Sequence, residues 1–324
     1  MSQPFPRTLL DFQRMFPNEL ACSNYLERVR WPDGFVCPGC DAPDQAYRFE
    51  NRPTVLRCRH CQRSTSLTAG TVMHATRTPL QVWFWAAYLV TTQTPGMSAL
   101  QLQRQLGLSR YETAFQMLHK LRVGMVRPDQ DRIGAQWPIE MDEALVGGQT
   151  RGEGKGVHHM TYVVGAVEVR PKQDKRGRRA IYAGRLRLSA LKDRSKRSLS
   201  AFATKNIEAN SHITTDGWHG YNELAVMGYD HESVVLHGDT EKVEKSLPMI
   251  HLVFSNLKAW LLGTHHGVSA QHLPAYLNEF VFRFNRRFYP MTAFASVLGI
   301  ATRVTAPTYD EFYAGEDSSA RDEP

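Results

Sequence analysis

Two sets of residues in this chain have the types and spacing that chemistry needs. The first is Cys37-x-x-Cys40, then seventeen residues, then Cys58-x-x-Cys61. Each CxxC turn lets two thiolates reach one tetrahedral ion, so the four sulfurs predict a structural Zn2+ site that is closed to substrate. The second set is acidic. The run Ile139-Glu140-Met141-Asp142-Glu143-Ala144-Leu145-Val146 reads as a strand that breaks at Gly147-Gly148. Side chains alternate on a strand, so Glu140 and Asp142 can share a face while Asp142 and Glu143 cannot. A second carboxylate, Asp216, ends the short run His212-Ile213-Thr214-Thr215-Asp216, and Gly217-Trp218 turns the chain after it.

The elements that must position these residues fall into a series of segments. Residues 1–30 form a helical lead-in and residues 31–68 a zinc ribbon. Residues 79–126 contain a helix-turn-helix: a helix over 98–106, a turn at Gly107-Leu108-Ser109 with Ser109 as a cap, and a second helix from Tyr111. That second helix carries Arg110, Gln116, His119, Lys120 and Arg122, the side-chain types of a major-groove reader. Residues 137–290 read as three antiparallel strands, a helix, a fourth strand ending at Asp216, a helix and a fifth strand. This is the order of a ribonuclease H-like domain, in which the first and fourth strands are neighbours and Asp142 meets Asp216. Residues 291–324 are expected to be a partly disordered extension. The fold class is therefore α+β and multidomain, with a mixed five-stranded sheet in the third region.

Composition narrows the partner. A formal net charge of +7 and a pI near 9.2 favour a polyanion over an acidic metabolite. Four of the five cysteines sit in the two tight pairs, a metal pattern of a reducing compartment. The first residues lack an apolar signal core, and the apolar run from Val82 to Val90 is too short for a bilayer. The expected setting is soluble, cytoplasmic and nucleoid-associated, with no membrane.

Taken together, these features resemble the zinc-ribbon, DDE-type transposases of prokaryotic insertion sequences. The carriers are residues 25–38, 65–70, 98–108 and 113–121, Met141-Asp142-Glu143 with Gly147-Gly148, Thr215-Asp216-Gly217-Trp218, and Leu262-Gly263-Thr264-His265. The resemblance implies binding of double-stranded DNA, at terminal inverted repeats and at a target, by a homo-oligomer. It also implies strand cleavage and transfer with Mg2+ or Mn2+ held by Asp142, Asp216 and a third ligand. The family places that ligand seven positions before a late lysine, and counting back from Lys258 lands on His251 rather than an acid. Asn256, Glu241 and Glu244 are the alternatives. Lys258 would touch a phosphate, and Trp218 would either stack on a base or pack in the core. A DNA-binding regulator, or a decayed copy that lost catalysis through His251, is the rival function; a general nuclease is a third.

Overall fold

The structure, a computed structural model, describes residues 5–43, 46–147, 160–173, 176–234 and 246–307. The chain divides into two compact units, Met1–Pro128 with Tyr289–Pro324, and Asp129–Phe288.

The first unit begins with α1 (Leu9–Met15) and α2 (Glu19–Arg30). Thr8 and Asp11 close a reciprocal capping box on α1, and the Asn18 side chain caps α2. The ribbon follows as β1 (Ala46–Arg48), β2 (Val55–Cys58) and β3 (Ser64–Ser66), an antiparallel sheet in that order. The Arg30 guanidinium ties the ribbon to α2 by donating to the carbonyls of Ser66, Leu67 and Ala69. Helix α3 (Leu80–Thr92) is apolar on most of its surface and lacks a side-chain cap of its own. The Glu19 carboxylate supplies one, accepting from the backbone N–H groups of Leu80 and Gln81 at 2.8 and 3.0 Å.

Helices α4 (Ala99–Leu106) and α5 (Tyr111–Val123) form the helix-turn-helix pair. Ser98 caps α4, and Gly107 ends it in the left-handed conformation (φ 62°), where a side chain would be strained. Arg110, not Ser109, is the N-cap residue of α5, and its side chain makes no cap hydrogen bond. The last described helix, numbered α10 below (Thr292–Ala301), belongs to this unit. Phe294 is fully buried there, with ring centroids 5.6–5.8 Å from Phe12, Phe16 and Phe84. Thus a segment that the sequence sets apart as an extension includes a helix of the first unit's aromatic core. The tail from residue 308 lies outside the described residues.

The second unit is a five-stranded mixed sheet. Its strands are β4 (Ile139–Val146), β5 (Thr161–Gln173), β6 (Arg179–Leu191), β7 (His212–Asp216) and β8 (Asp230–Val234), in the spatial order β6-β5-β4-β7-β8. The first three pair antiparallel, whereas β4, β7 and β8 run parallel. This is the ribonuclease H-like order expected from the sequence. One face packs α6 (Lys196–Asn206), through Leu199 and Phe202, with Met141, Val164, Ile213 and Tyr221. The other packs α8 (Pro248–Trp260) and α9 (Leu273–Asn285), through Ile250, Phe254 and Leu277, over Val163, Val167 and Leu186. A short helix, α7 (Glu223–Val226), links β7 to β8. A π-helical turn, Leu261–His265, ends α8, so the Leu262-Gly263-Thr264-His265 motif shapes the passage to α9, with the His265 ring packed on Trp260 and Tyr276. Among the described residues no helix is long and apolar enough to cross a membrane.

Candidate active site

Strand parity decides which acids meet. On β4, Ile139 and Met141 belong to the α6-side core, while Ala144 and Val146 belong to the α8 side. Glu140 and Asp142 therefore face α8, and Glu143 faces the other way. On β7, Ile213 lies in the α6-side core, so Asp216 also faces α8. The parallel register pairs Ile139 with Ile213 and Glu140 with Thr214; two residues further on, Asp142 in the middle of β4 comes level with Asp216 at the end of β7.

Helix α8 supplies the third group. His251 Nε2 lies 3.2 Å from Asp142 Oδ2, and the two side chains are 25% and 13% exposed. Asn256 and Lys258 are exposed further along α8, Lys258 about 10 Å beyond His251. The alternatives Glu241 and Glu244 lie outside the described residues, as does the segment 148–159.

Glu140 has a separate task that the sequence does not disclose. Leu247, the N-cap of α8, offers no side-chain cap, and Pro248 occupies the first helical position. The buried Glu140 carboxylate accepts from the backbone N–H groups of Met249 and Ile250 at 2.7 and 2.9 Å. One strand thus holds the helix by its N-terminus through Glu140 and meets its His251 through Asp142.

The Asp216-Gly217-Trp218-His219-Gly220-Tyr221 run builds the other side. Trp218 N–H donates to Asp216 Oδ1 at 3.0 Å, and the Tyr221 hydroxyl donates to the Glu143 carboxylate. A β-carbon at Gly220 would lie 2.6 Å from Trp218 Nε1, so glycine is needed for the indole to sit where it does. Trp218 is half-buried with the Arg194 guanidinium 3.8 Å above its ring, which favours the packing alternative over free base stacking.

The electrostatics of these acids differ from those of a structural carboxylate in the same sheet. Burial alone would raise the pKa of the fully buried Glu168, but hydrogen bonds from Arg185 and Arg170 overcome it and hold the group below its ordinary value. Asp216 moves the opposite way: burial raises it, and the nearby Asp142 charge adds to the rise. Glu143 is raised by burial as well, with Asp142 and Asp216 contributing. Carboxylate oxygens and an imidazole are donor types that Mg2+ or Mn2+ takes, but among the described residues only the four cysteines are gathered closely enough to hold one ion.

The cysteines fit a different ion. Their ligand atoms all lie within 4.8 Å of one another, with Cys37 to Cys61 at 3.6 Å and Cys40 to Cys58 at 3.7 Å. Sulfurs about 2.3 Å from a tetrahedral zinc are separated by about 3.8 Å, so the cluster matches a structural Zn2+ site. Backbone N–H groups of Cys61 and His60 hold the Cys58 thiol down to about 6, while burial and the sulfurs of Cys61, Cys37 and Cys58 push Cys40 up to about 12, so the first negative charge of the cluster settles on Cys58.

Comparison with known proteins matches the two regions that carry these residues. Residues 134–285 match the ISXO2-like transposase domain, and residues 17–64 match the transposase zinc-ribbon domain. The chain belongs to this transposase family. It is also 27% identical over 297 residues to an uncharacterized protein in transposable element ISH50 of Halobacterium salinarum, covering 83% of this chain and 92% of that protein. No solved structure matches it. The family's DDE-type domain spans β4 to α9, and its zinc-ribbon match includes all four cysteines.

The residues expected to read DNA divide on the structure. Arg110 is exposed, and Gln116 and Lys120 are partly exposed on α5. His119 and Arg122 are each only 1% exposed, so neither is presented for groove contact, contrary to the sequence expectation. The His119 ring packs 4.2 Å from Phe115, one turn earlier on the helix. Three residues that shape the site went unassigned in the sequence, Glu140, Glu143 and Arg194, whereas Tyr221, expected like Trp218 either to stack on a base or to pack in the core, is fully buried. Only Glu140 carried a signal, its shared face with Asp142.

Proposed function

We propose that the protein binds transposon ends as double-stranded DNA and catalyses metal-dependent strand cleavage and strand transfer, acting as a homo-oligomer in the cytoplasm. The observation that supports this reading is that Asp142 on β4 faces the same side as Asp216 at the end of the adjacent β7 and lies 3.2 Å from His251 of α8, within a DDE-type domain. Divalent cations held by Asp142, Asp216 and His251 would supply an activated water or 3′-hydroxyl and stabilise the leaving oxygen of an in-line displacement.

The chain's own residues prepare that step. Trp218 N–H fixes one oxygen of Asp216, which leaves the other directed by the strand end. Glu140 fixes the first turn of α8 and so the height of His251 over Asp142. His251 Nε2 and Asp142 Oδ2 orient each other at 3.2 Å. The exposed Lys258 offers a phosphate contact along the same helix. In the first unit, Arg110, Gln116 and Lys120 are the proposed DNA-reading residues, and the four cysteines hold a zinc that maintains the ribbon.

The test is nicking of a cognate end duplex with Mg2+ or Mn2+. Wild type should cut at the end, and Asp142→Asn or Asp216→Asn should abolish cutting while retaining DNA binding. The rival, a regulator or decayed copy, draws on the histidine at the third position; end binding with no cutting under either metal would favour it. Cutting without end preference would favour a general nuclease.

A further inference from the structure

We propose that Arg194 is the docking point for a backbone phosphate of the DNA strand on which the acid pair acts; this rests on the strand-cleavage reading above. Arg194 follows β6 by three residues. Strand β6 is antiparallel to β5, which is antiparallel to β4, so β6 runs with β4 and Arg194 lies at the sheet end where Asp142 and Asp216 emerge. Three carboxylates gather there, and an approaching polyanion needs fixed positive charge to offset them.

The guanidinium is held ready rather than left to swing. Its plane sits 3.8 Å from the Trp218 ring centroid, with Tyr162 at 5.8 Å. The Arg194 carbonyl accepts from Trp218 Nε1–H at 3.3 Å. On either side of it, Asp193 Oδ1 accepts from Ser195 N–H at 2.9 Å and from the Ser198 hydroxyl at 2.7 Å, which pins the loop entering α6. Little side-chain freedom remains to be lost on binding.

Its donors, by contrast, are unspent. Among the described residues no guanidinium N–H of Arg194 makes a hydrogen bond; the nearest carboxylate oxygen, Glu143 Oε1, is 3.7 Å away and Glu143 already accepts from Tyr221. The side chain is 43% exposed. A planar cation with open donors, on the Glu143 side of the strands that carry the acid pair, suits bidentate binding of a phosphodiester. Arg194 and Glu143 form an ion pair at 3.7 Å without a hydrogen bond, which leaves the guanidinium N–H groups open to a second anion.

The test is a cycle between protein and substrate. End duplexes carry a neutral methylphosphonate at each phosphate near the cut in turn, and wild type, Arg194→Lys and Arg194→Met are compared in single-turnover cleavage and in equilibrium binding without divalent metal. Loss of one charged phosphate contact should slow cleavage by Arg194→Met about 10- to 100-fold, with Arg194→Lys between. That loss should shrink to less than about twofold at one methylphosphonate position and persist at the others. A merely less stable variant would be slowed equally at every position. Losses that multiply at all positions, or wild-type cleavage by Arg194→Met, overturn the assignment. If wild type itself cuts nothing, the cleavage reading fails, but the binding arm still decides Arg194: the same single-position cancellation in Kd supports it and its absence rejects it.

Discussion

His251 Nε2 sits 3.2 Å from Asp142 Oδ2, so the histidine of α8 is already aimed at the first aspartate. Imidazole is a better ligand for Mn2+ than for Mg2+, which prefers oxygen. Wild-type cleavage should therefore be faster with Mn2+ than with Mg2+, and His251→Ala should lose at least about tenfold. His251→Glu should keep or raise the Mg2+-dependent rate. Equal cleavage by His251→Ala and wild type under both metals would leave His251 as a packing residue only.

Glu140 makes a separate prediction, because its carboxylate satisfies two N–H groups at the start of α8. Glu140→Ala leaves both donors buried without that partner, a cost of about 1–3 kcal/mol. The variant should melt earlier and cleave slowly. Glu140→Gln retains an accepting oxygen and should recover most of the melting temperature and part of the rate. If Glu140→Ala melts like wild type, the contact with α8 does not hold the helix.

What could be read from the sequence was what depends on local spacing. The four cysteines announce their site because two thiolates three residues apart already define half a tetrahedron. Asp142 and Asp216 were legible through strand parity and the order of elements. The partner of Glu140 was not, since the groups it binds are backbone N–H donors that any residue at 249 and 250 would provide. His119 and Arg122 were assigned to the solvent face for their polarity, yet they lie on a row with Phe115 beside the apolar stripe of Ala114, Met117, Leu118 and Leu121, and they are buried. Phe294, Val297, Leu298 and Ala301 had helical spacing that could have marked α10; its partners near residues 12–16 and 84 are too distant in sequence for any local pattern to show.

Asp216 couples the site to stability. Burial, and then the Asp142 charge, raise its pKa in the folded state. A carboxyl with a raised folded pKa destabilises the fold at pH above that value, and the penalty disappears as pH falls below the unfolded value. With zinc retained and no Mg2+ or Mn2+ added, Asp216→Asn should melt higher than wild type at neutral pH and lose that advantage in acid, near pH 3.5. Thermal melts at the two pH values check it, and a lower melting temperature for the variant at neutral pH would count against a repelling acid pair.

The cysteine cluster is tested by metal content. Cys37→Ser or Cys61→Ser should lower bound zinc below one equivalent and loosen the ribbon, because the thiolates hold β1 to β3 through the ion. Hydrogen exchange should speed up across residues 31–68 and stay slow in β4 to β7. Wild-type protein without stoichiometric zinc would refute the structural-metal reading.

The last prediction separates surface from core on α5. Arg110, Gln116 and Lys120 retain solvent access, whereas His119 and Arg122 do not. Burial also lowers the Lys120 pKa. If the outer face reads the groove, Gln116→Ala should weaken end binding by about 1–3 kcal/mol and relax preference at one base pair. Arg110→Ala and Lys120→Ala, if they touch phosphates, should weaken binding to all sequences alike and each reduce the salt slope by about one. His119→Ala and Arg122→Ala should instead lower the melting temperature, with affinity per folded molecule close to wild type. The pattern is measured by titrating cognate and scrambled duplexes at several salt concentrations. Loss of cognate preference in a fully folded His119→Ala variant, alongside unchanged binding by Arg110→Ala and Gln116→Ala, would mean that α5 does not enter the groove by the face it exposes.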